Sequence, residues 1–398
     1  MPAGSASSRT RTRGRSGPGA GSRTRGGGDR LVGIDLARCL ALLGMMATHV
    51  LDARTPGGDV SASHWLASGR ASALFAVLAG VSIALVSGRG TPVVGGQRLR
   101  VSAALVVRAV LVGAIGLLLG TLDTGIAVIL TYYAVLFVLA LPFLGLTARP
   151  LLAVAVAWVA AAPVVSHLAR PELPPRQFDS PEPEQLLEPG RLVAELLFTG
   201  YYPAVPWVAY LLLGLAIGRA DLRSRRVAAV LVVNGAVAAV GATLLSRALT
   251  SSRFDWTELD AVAGGMYGQT PTDNGWRWLL VVVPHSTTPF DLVQTGGSAA
   301  LVVGLCLLVA GAARDLSPVV ERALQVLVGA GAMTLTLFVL HVVMRTDAVW
   351  PPEEPSTYAW HVLVALWIGS VYAALGRRGP LETVVGWLPG KIRGRSSG

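Results

Sequence analysis

The sequence predicts an all-α integral membrane protein, a polytopic bundle of about ten transmembrane helices. Of the 398 residues, 53% are hydrophobic and only 14% are charged, whereas soluble proteins usually carry about 25% charged residues. The mean hydropathy is +0.58. Many apolar runs approach the roughly 20 residues that a helix needs to cross a bilayer. A helix also satisfies its own backbone hydrogen bonds in lipid, so such runs predict helices.

The apolar runs define the expected spans in order along the chain. They lie at 31–50, 71–87, 101–120, 125–146, 151–168, 202–218, 227–246, 294–312, 325–344 and 359–375. The short run 279–283 cannot cross a bilayer and is expected at the interface. The Pro-rich, acidic stretch 171–189 is expected to form an external loop.

Three regions follow from this pattern. Residues 1–29 are mostly Gly, Ser and Arg and cannot bury a core, which predicts a disordered basic cytoplasmic arm. The apolar run after this arm is too long for a signal peptide and contains two charged residues. Residues 30–385 are expected to form the transmembrane domain, and residues 386–398 a basic cytoplasmic tail.

The distribution of positive charge predicts the orientation in the membrane. With a cytoplasmic N-terminus, 22 of the 33 Lys and Arg residues fall in cytoplasmic segments, nine in external segments and two within spans. Cytoplasmic loops of membrane proteins carry an excess of Lys and Arg, so both termini are predicted to be cytoplasmic. The Gly-, Ala- and Arg-rich composition suggests a high-GC bacterium and therefore the bacterial plasma membrane.

The same distribution limits the partners. The net charge of +10 does not indicate nucleic acid, because the basic residues lie in short segments between apolar runs. The expected partners are the lipid bilayer and an extracytoplasmic acceptor, and a homodimer is compatible with the sequence. Cys39 and Cys306 lie inside apolar runs and show neither a disulfide pattern nor metal-ligand spacing, so no metal is predicted.

Three ionisable residues lie on the first predicted helix. At 100° per residue, Asp35, Arg38 and His49 share one narrow face, and about 20 Å separates Asp35 from His49. Ionisable side chains within a span are costly and usually functional. Such a stripe suits a reaction across the membrane or a transport path. The alternative is an Asp35–Arg38 pair that only fixes helix packing.

All six histidines fall at the outer ends of helices or in outer loops under this topology. They are His49, His64, His167, His285, His341 and His361. Imidazole titrates near neutrality and suits general base catalysis. His341 shares a helix face with Thr334 and Arg345. Of the six, His167 and His361 are expected to be bystanders, as interfacial residues at helix ends, and the alternative interpretation of His285 is a plain turn.

The segment from His64 to Gly80 is the most distinctive. It places His64 and Arg70 just outside the second span, and the helix that follows is rich in small residues that allow close helix packing. Arg70 would bind an anionic group or only anchor the helix at the interface. The motifs of soluble enzymes, such as a P-loop, a G-x-S-x-G elbow or H-E-x-x-H, do not occur.

Four segments resemble a known family. The run Arg30-Leu-Val-Gly-Ile-Asp35-Leu-Ala-Arg38-Cys39 resembles the R-x-x-x-[IVL]-D-x-x-R-G opening of heparan-alpha-glucosaminide N-acetyltransferase and its bacterial relatives, with Cys39 in place of Gly. The other three resemble segments of the related YeiB-like proteins. They are Gly69-Arg70-Ala-Ser-Ala-Leu74-Phe75 with Leu78-Ala-Gly80, Gly331-Ala-Met-Thr334-Leu-Thr336 with His341, and Gly379-Pro-Leu-Glu382.

The resemblance implies a membrane acyltransferase that takes an acyl group, expected to be acetyl, from cytoplasmic acyl-CoA. The acceptor would be an extracytoplasmic glycan, lipid or small molecule. The family's active-site histidine lies between the first two helices, as His64 does, and a family asparagine falls where His49 stands. The lumenal domain of the animal enzyme is absent, so its sugar specificity is not carried over.

The expected roles follow from the chemistry of acyl transfer, which needs a base or a nucleophile and a positive group for the oxyanion. We expect His64, assisted by His49, to act as base or nucleophile, with Arg70 stabilising anionic charge. Asp35, Arg38, His341 and Thr334 are expected to contact substrate. Arg89, Arg98 and Arg100 are candidates for CoA phosphates, although positive-inside charge alone would explain them.

Two other functions remain open from the sequence. A transporter or exporter of a small or lipid-linked substrate would use the polar stripe as its path, but transporters often contain internal repeats and none is evident here. A non-catalytic scaffold would leave the outer histidines without a role.

Overall fold

The computed structural model describes residues 31–177, 180–273, 275–349 and 354–392. It divides the chain into Met1–Leu31 and Val32–Gly398. The arm predicted at 1–29 lies outside the described residues, and all that follows concerns the second unit. In chain order, its α-helices are α1 (Val32–Val50), α2 (Ala62–Ala67), α3 (Arg70–Val86), α4 (Gly95–Gly120), α5 (Leu130–Leu139), α6 (Ala148–Ala169), α7 (Pro189–Ala194), α8 (Ala204–Gly218), α9 (Arg225–Thr250), α10 (Trp256–Val262), α11 (Pro289–Leu316), α12 (Pro318–Leu327), α13 (Thr334–Met344), α14 (Tyr358–Ala374) and α15 (Pro380–Ile392).

The prediction of a helical membrane protein is confirmed. Within the described ranges no β-strand forms, and an isolated bridge joins Arg54 to Val60. In the described part of the chain, seven helical stretches are long and apolar enough to cross a membrane, and a pair bent by 55° would make an eighth if it is one span. The seven are Val32–Val50, Ala62–Val86, Gly95–Gly120, Ala148–Glu172, Arg225–Thr250, Pro289–Leu316 and Pro355–Ala374, and the bent pair is Pro189–Thr199 with Ala204–Gly218.

Two predicted spans are shorter than expected, so the count of ten is not confirmed. The region 125–146 contains α5 with 10 residues, and the region 325–344 contains α13 with 11 residues. At 1.5 Å per residue each is roughly 15 Å long, about half of the hydrocarbon thickness of a bilayer. A 3-10 turn at Leu141–Gly145 follows α5, and another at Gly329–Ala332 precedes α13.

The turn before α13 lies directly against α1. A Cβ atom added to Gly331 would stand 2.6 Å from the carbonyl carbon of Asp35 and 3.0 Å from the amide nitrogen of Cys39. Only glycine permits this approach of the two backbones. The predicted helix 325–344 is therefore interrupted, and α13 starts beside α1. We call the end of the bundle where α1 begins the Asp35 end, and the end where α1 finishes the histidine end.

Close packing of small residues also joins α3 to α8. A Cβ on Gly214 would stand 2.8 Å from the carbonyl carbon of Val77 and 3.0 Å from the Cα of Gly80. In lipid, such backbone contact replaces the hydrophobic driving force that drives association in water. Helices α9 and α11 pack on each other in a similar way, and Arg225 pairs with Asp315 where α9 begins and α11 ends.

Arg219 organises the loops at the Asp35 end. Its side chain follows α8, is buried, and donates hydrogen bonds to the carbonyls of Ser87 (2.9 Å), Arg89 (2.8 Å) and Leu144 (2.7 Å). These carbonyls belong to the turns after α3 and α5. A guanidinium with five donors suits this clustering of carbonyl groups.

The segment between α9 and α11 forms a small folded cover at the histidine end. Its apolar residues Phe254, Met266, Trp278, Val281 and Val283 form one buried cluster. The predicted interfacial run 279–283 contributes to this cluster, and the side chains of Arg277 and Glu258 pair at 2.8 Å. The cover brings the backbone around residue 264 over α2.

Helix α15 anchors the start of α13 at the Asp35 end. Glu382 accepts hydrogen bonds from the amides of Leu335 (2.7 Å) and Thr336 (3.2 Å) and from the Thr336 hydroxyl (2.6 Å). Met333, which precedes α13, offers no side-chain cap. Glu382 therefore satisfies backbone donors that a helix start leaves unpaired. The tail predicted from residue 386 begins inside this helix, and residues 393–398 lie outside the described ranges.

We expect Glu382→Gln to lower the free energy of unfolding by about 1 kcal/mol, because it removes a charged cap from a helix N-terminus. Thermal unfolding in detergent should show a lower melting temperature. Glu172→Gln, at an exposed position after α6, serves as the control. Equal melting temperatures for the two variants would contradict the capping role.

Candidate functional site

His64 is buried, and a hydrogen bond fixes which of its ring nitrogens donates. It lies on the short helix α2, which the Ser61 hydroxyl caps by accepting the His64 amide at 3.3 Å. Its Nε2 lies 2.7 Å from the Gly264 carbonyl. A carbonyl only accepts, so Nε2 carries a proton, and in the neutral tautomer compatible with this bond Nδ1 carries the lone pair. Among the described residues this buried Nδ1 has no hydrogen-bond partner.

A strained loop, residues 281–288, lies beside His64. His285 and Thr287 both have positive φ angles, 58° and 56°, and a β-branched residue in this region is an outlier. Gly69, also with a positive φ, stands in the turn between α2 and α3. A Cβ there would lie 3.3 Å from the Pro284 Cα and 3.4 Å from the His285 amide nitrogen. Strain of this kind is found preferentially at functional sites.

His285 stands at the centre of the histidine end. Its ring contacts those of Tyr202, Trp207 and Tyr267, with centroids 5.5, 6.3 and 5.6 Å away. Burial is the main cause that lowers the pKa of His285 to about 4, and repulsion between a protonated His285 and a protonated His64 would act in the same direction. It is therefore neutral near pH 7. It interacts electrostatically with both His64 and His49, and its buried Nδ1 has no hydrogen-bond partner in the described ranges.

A carboxylate and a guanidinium complete this group. Asp291, in the first turn of α11, is buried and accepts the Thr287 amide at 3.0 Å. Arg70 interacts electrostatically with Asp291. Arg70 also donates to the Trp65 carbonyl and lies 5.4 Å from the centre of the Trp65 ring. The first group thus contains His64, Arg70, His285 and Asp291, from α2, α3, the strained loop and α11.

Three further histidines form a continuous chain. Nδ1 of His49 lies 3.1 Å from Nε2 of His341, and Nδ1 of His341 lies 3.0 Å from Nδ1 of His361. The His49 and His341 rings are stacked, whereas the His361 ring is perpendicular to that of His341. His341 and His361 are each only 1% exposed. We call these residues the three-histidine chain. His49, through its interaction with His285, connects it to the first group.

The predicted substrate residues at the Asp35 end are apart from the histidines. Arg38 pairs with Asp35 at 3.3 Å and donates to the Ser82 hydroxyl at 2.6 Å. Eleven residues of α1 separate Arg38 from His49, which corresponds to roughly 16 Å. Thr334 lies at the start of α13, two turns before His341. The polar face of α1 therefore joins two separate polar regions.

The three arginines predicted to contact CoA differ in their surroundings. Arg98 donates to the Pro142 carbonyl at 3.0 Å and more weakly to that of Leu141 at 3.4 Å. Arg89 has a positive φ of 54° and its carbonyl accepts from Arg219. Arg100 is exposed at the start of α4. Part of the hydrogen-bonding capacity of Arg98 is therefore already used within the fold.

The structure divides the predicted site residues between the two groups. Of the predicted catalytic set, His64 and Arg70 lie in one group and His49 joins the other, where His341 also lies. His361 was predicted to be a bystander but belongs to the three-histidine chain. His167 lies outside both groups, and its ring centroid is 4.9 Å from that of Trp276. Sequence reasoning left His285 as a possible turn and missed Asp291. The only signal was the Pro-His-Ser-Thr-Thr-Pro run that precedes α11.

The arrangement of His, Cys, Asp and Glu side chains in the described residues does not indicate a metal site. No group of three or more His, Cys, Asp or Glu side chains among the described residues has the geometry to hold a metal ion. In the three-histidine chain, the two nitrogens of His341 face different partners. Three rings arranged in this way cannot converge on one ion.

Comparison with known proteins identifies a family. The profile of the family described as heparan-alpha-glucosaminide N-acetyltransferase, catalytic, matches residues 30–249. No curated protein matches the chain significantly. The match contains His49, His64 and Arg70, whereas the strained loop, α11 and the other two members of the three-histidine chain lie beyond it. Because the match covers more than half of the sequence, the chain belongs to the heparan-alpha-glucosaminide N-acetyltransferase family, a family of membrane acetyltransferase-like proteins.

Proposed function

We propose that this protein is an integral membrane acyltransferase that uses cytoplasmic acetyl-CoA and acylates an extracytoplasmic glycan, lipid or small molecule. One observation carries the proposal. The buried His64 has its Nε2 proton directed at the Gly264 carbonyl, so that the lone pair of Nδ1 is available. The proposed location is a bacterial plasma membrane. The excess of Lys and Arg at the Asp35 end supports a cytoplasmic position for that end.

The residues present fit acetyl-CoA as the donor. Its phosphates need cations, and its acetyl group needs a base or nucleophile. At the Asp35 end the Arg38 side chain is 25% exposed and Arg100 is exposed, so these two residues would hold phosphate groups. Acetyl-CoA, when bound, supplies an acetyl group that is activated as a thioester.

His64 performs the central step in this proposal. Its Nδ1 lone pair either takes the proton of the acceptor hydroxyl or amine, or attacks the acetyl carbon and carries the group to the acceptor. The Gly264 carbonyl keeps the ring in the tautomer that both routes need. This is the role that an orienting partner plays for a catalytic histidine in hydrolases.

Arg70 and Asp291 support this step electrostatically. Attack on the acetyl carbon places negative charge on its oxygen, and a fixed cation or N–H donor stabilises that charge. Arg70 is the guanidinium closest in sequence to His64, six residues away. Its hydrogen bond to the Trp65 carbonyl and its electrostatic interaction with Asp291 hold it in place. Asp291 in turn holds the strained loop through the Thr287 amide.

We expect His64→Ala to reduce acetyl transfer at least 100-fold, because it removes the proposed base or nucleophile. The assay follows radiolabelled acetyl-CoA in proteoliposomes supplied with glucosamine and with cell-envelope extracts. His167→Ala, at a buried histidine outside both groups, is the matched control and should retain activity within about twofold. Transfer by His64→Ala at the rate of the unaltered protein would refute the role of His64. Flux of substrate without any need for acetyl-CoA would indicate a transporter instead.

The pKa of His285 makes the stability depend on pH. An unfolded histidine titrates near pH 6.5, whereas folding lowers the pKa of His285 to about 4. The unfolded state therefore binds the proton more readily. The stabilisation is complete above about pH 6.5 and is lost as the pH falls through about 4. Melting temperatures between pH 7 and 4 should fall less steeply for His285→Gln than for the unaltered protein. Parallel curves would contradict a buried neutral His285.

Substitutions of Arg100 and Arg98 at the Asp35 end should affect different properties, the first the KM for acetyl-CoA and the second the melting temperature. We expect Arg100→Gln to raise the KM for acetyl-CoA about three- to tenfold at low ionic strength, and less at high salt, because it removes a phosphate contact. Arg98→Gln should mainly lower the melting temperature, since Arg98 bonds the carbonyls after α5. An unchanged KM for Arg100→Gln at low salt would remove Arg100 from the donor site.

A further inference from the structure

The three-histidine chain connects three separate helices at the histidine end. His49 lies in the last turn of α1, His341 in α13 and His361 in the first turns of α14. The chain is continuous, with nitrogen–nitrogen distances of 3.1 and 3.0 Å. The catalytic role proposed for His64 accounts for none of the contacts among these rings, so their arrangement calls for its own explanation.

The hydrogen bonds impose a direction on the chain. A neutral imidazole has one N–H donor and one acceptor nitrogen. His341 uses both nitrogens on its two partners, so it donates to one neighbour and accepts from the other. Two arrangements satisfy both bonds, with all N–H groups pointing toward His361 or all toward His49. Conversion between the two requires that a proton enter at one terminal ring and leave at the other.

The two ends of the chain lie in different surroundings. His49 interacts electrostatically with His285, which interacts in the same way with His64. His361 follows Ala359 and Trp360, which are exposed. The chain thus runs from the side of the proposed reaction centre to the buried His361, in the first turns of α14, a helix whose start contains exposed residues.

One fixed cation lies near all three rings. Arg345, one residue beyond the end of α13, interacts electrostatically with His49, His341 and His361. Like charges repel, so an extra proton on these rings would meet a neighbouring guanidinium. An extra proton is therefore not retained on these rings.

We propose that the three-histidine chain is a proton relay that carries the proton of the acceptor to the extracytoplasmic surface. This inference rests on the proposed function. In the transfer, the acceptor X–H bond and the thioester C–S bond break, and the X–C bond forms. The sulfur keeps the electron pair of the C–S bond and takes a proton from the cytoplasm. The acceptor proton leaves the reaction centre, enters the chain at His49 and passes through His341 to His361, and one proton is released outside for each acetyl group transferred.

The first test replaces the middle ring. The His341→Gln side chain still donates and accepts hydrogen bonds, but it does not relay a proton. With entrapped acetyl-CoA, external glucosamine and an external pH dye, we expect kcat to fall at least tenfold while the KM for acetyl-CoA is unchanged. In the unaltered protein, the solvent isotope effect on kcat should reflect the transfer of several protons. In His341→Gln it should fall to the value for a single proton. His167→Gln is the matched control. Added imidazole should restore the rate of His341→Gly, in which space for the ring is opened.

Wild-type rates and isotope effects in His341→Gln would overturn the relay while leaving the proposed function intact. Absence of any acetyl transfer by the unaltered protein would instead count against the proposed function. In that case ¹⁵N NMR spectra of the histidines test the relay independently of catalysis. A relay requires the two His341 nitrogens to exchange between protonated and unprotonated states, with averaged shifts that separate in His49→Gln. Two distinct shifts of one fixed tautomer in the unaltered protein would contradict it.

Discussion

The hydrogen bond between His49 and His341 is the interaction on which the arrangement of the site depends. A polar ring in a membrane interior is costly unless it finds a partner. Here the partner of each ring in the chain is another ring. Helix α13 makes this contact feasible, because Gly331 lets its first turn approach the backbone of α1 and Glu382 caps its start. A helix of 11 residues thereby fixes the distance between a cap at one end and an imidazole at the other.

A second set of contacts holds the first group, which contains His64, Arg70, His285 and Asp291. The strained loop positions His285, the member of the first group that interacts electrostatically with His49. Its unusual backbone is held by contacts on both sides. Gly69 makes room for it, and the Asp291 carboxylate accepts the Thr287 amide. Local strain of this kind persists only when the surrounding structure determines it. The site is therefore assembled from six helices and one loop rather than from any single motif.

Hydropathy was sufficient to predict the class of fold, because long apolar runs leave few alternatives in lipid. It could not reveal that the runs 125–146 and 325–344 contain short helices, since apolar residues buried in protein and in lipid look alike in sequence. Helical spacing placed Asp35, Arg38 and His49 on one face of α1. The contacts of His361 and His285 were not predictable, because they depend on helices distant in sequence and on positive φ angles that the residue types His and Thr do not signal.

The division of the histidines along the chain has a practical meaning for protein engineering. His49 and His64 lie in the part that matches the family profile, whereas their partners His285, His341 and His361 come from the remaining third of the sequence. An exchange of only one part with a homologue would keep every helix and yet separate the rings from their neighbours. Chimeras that are meant to transfer acceptor preference should therefore exchange both parts as a unit.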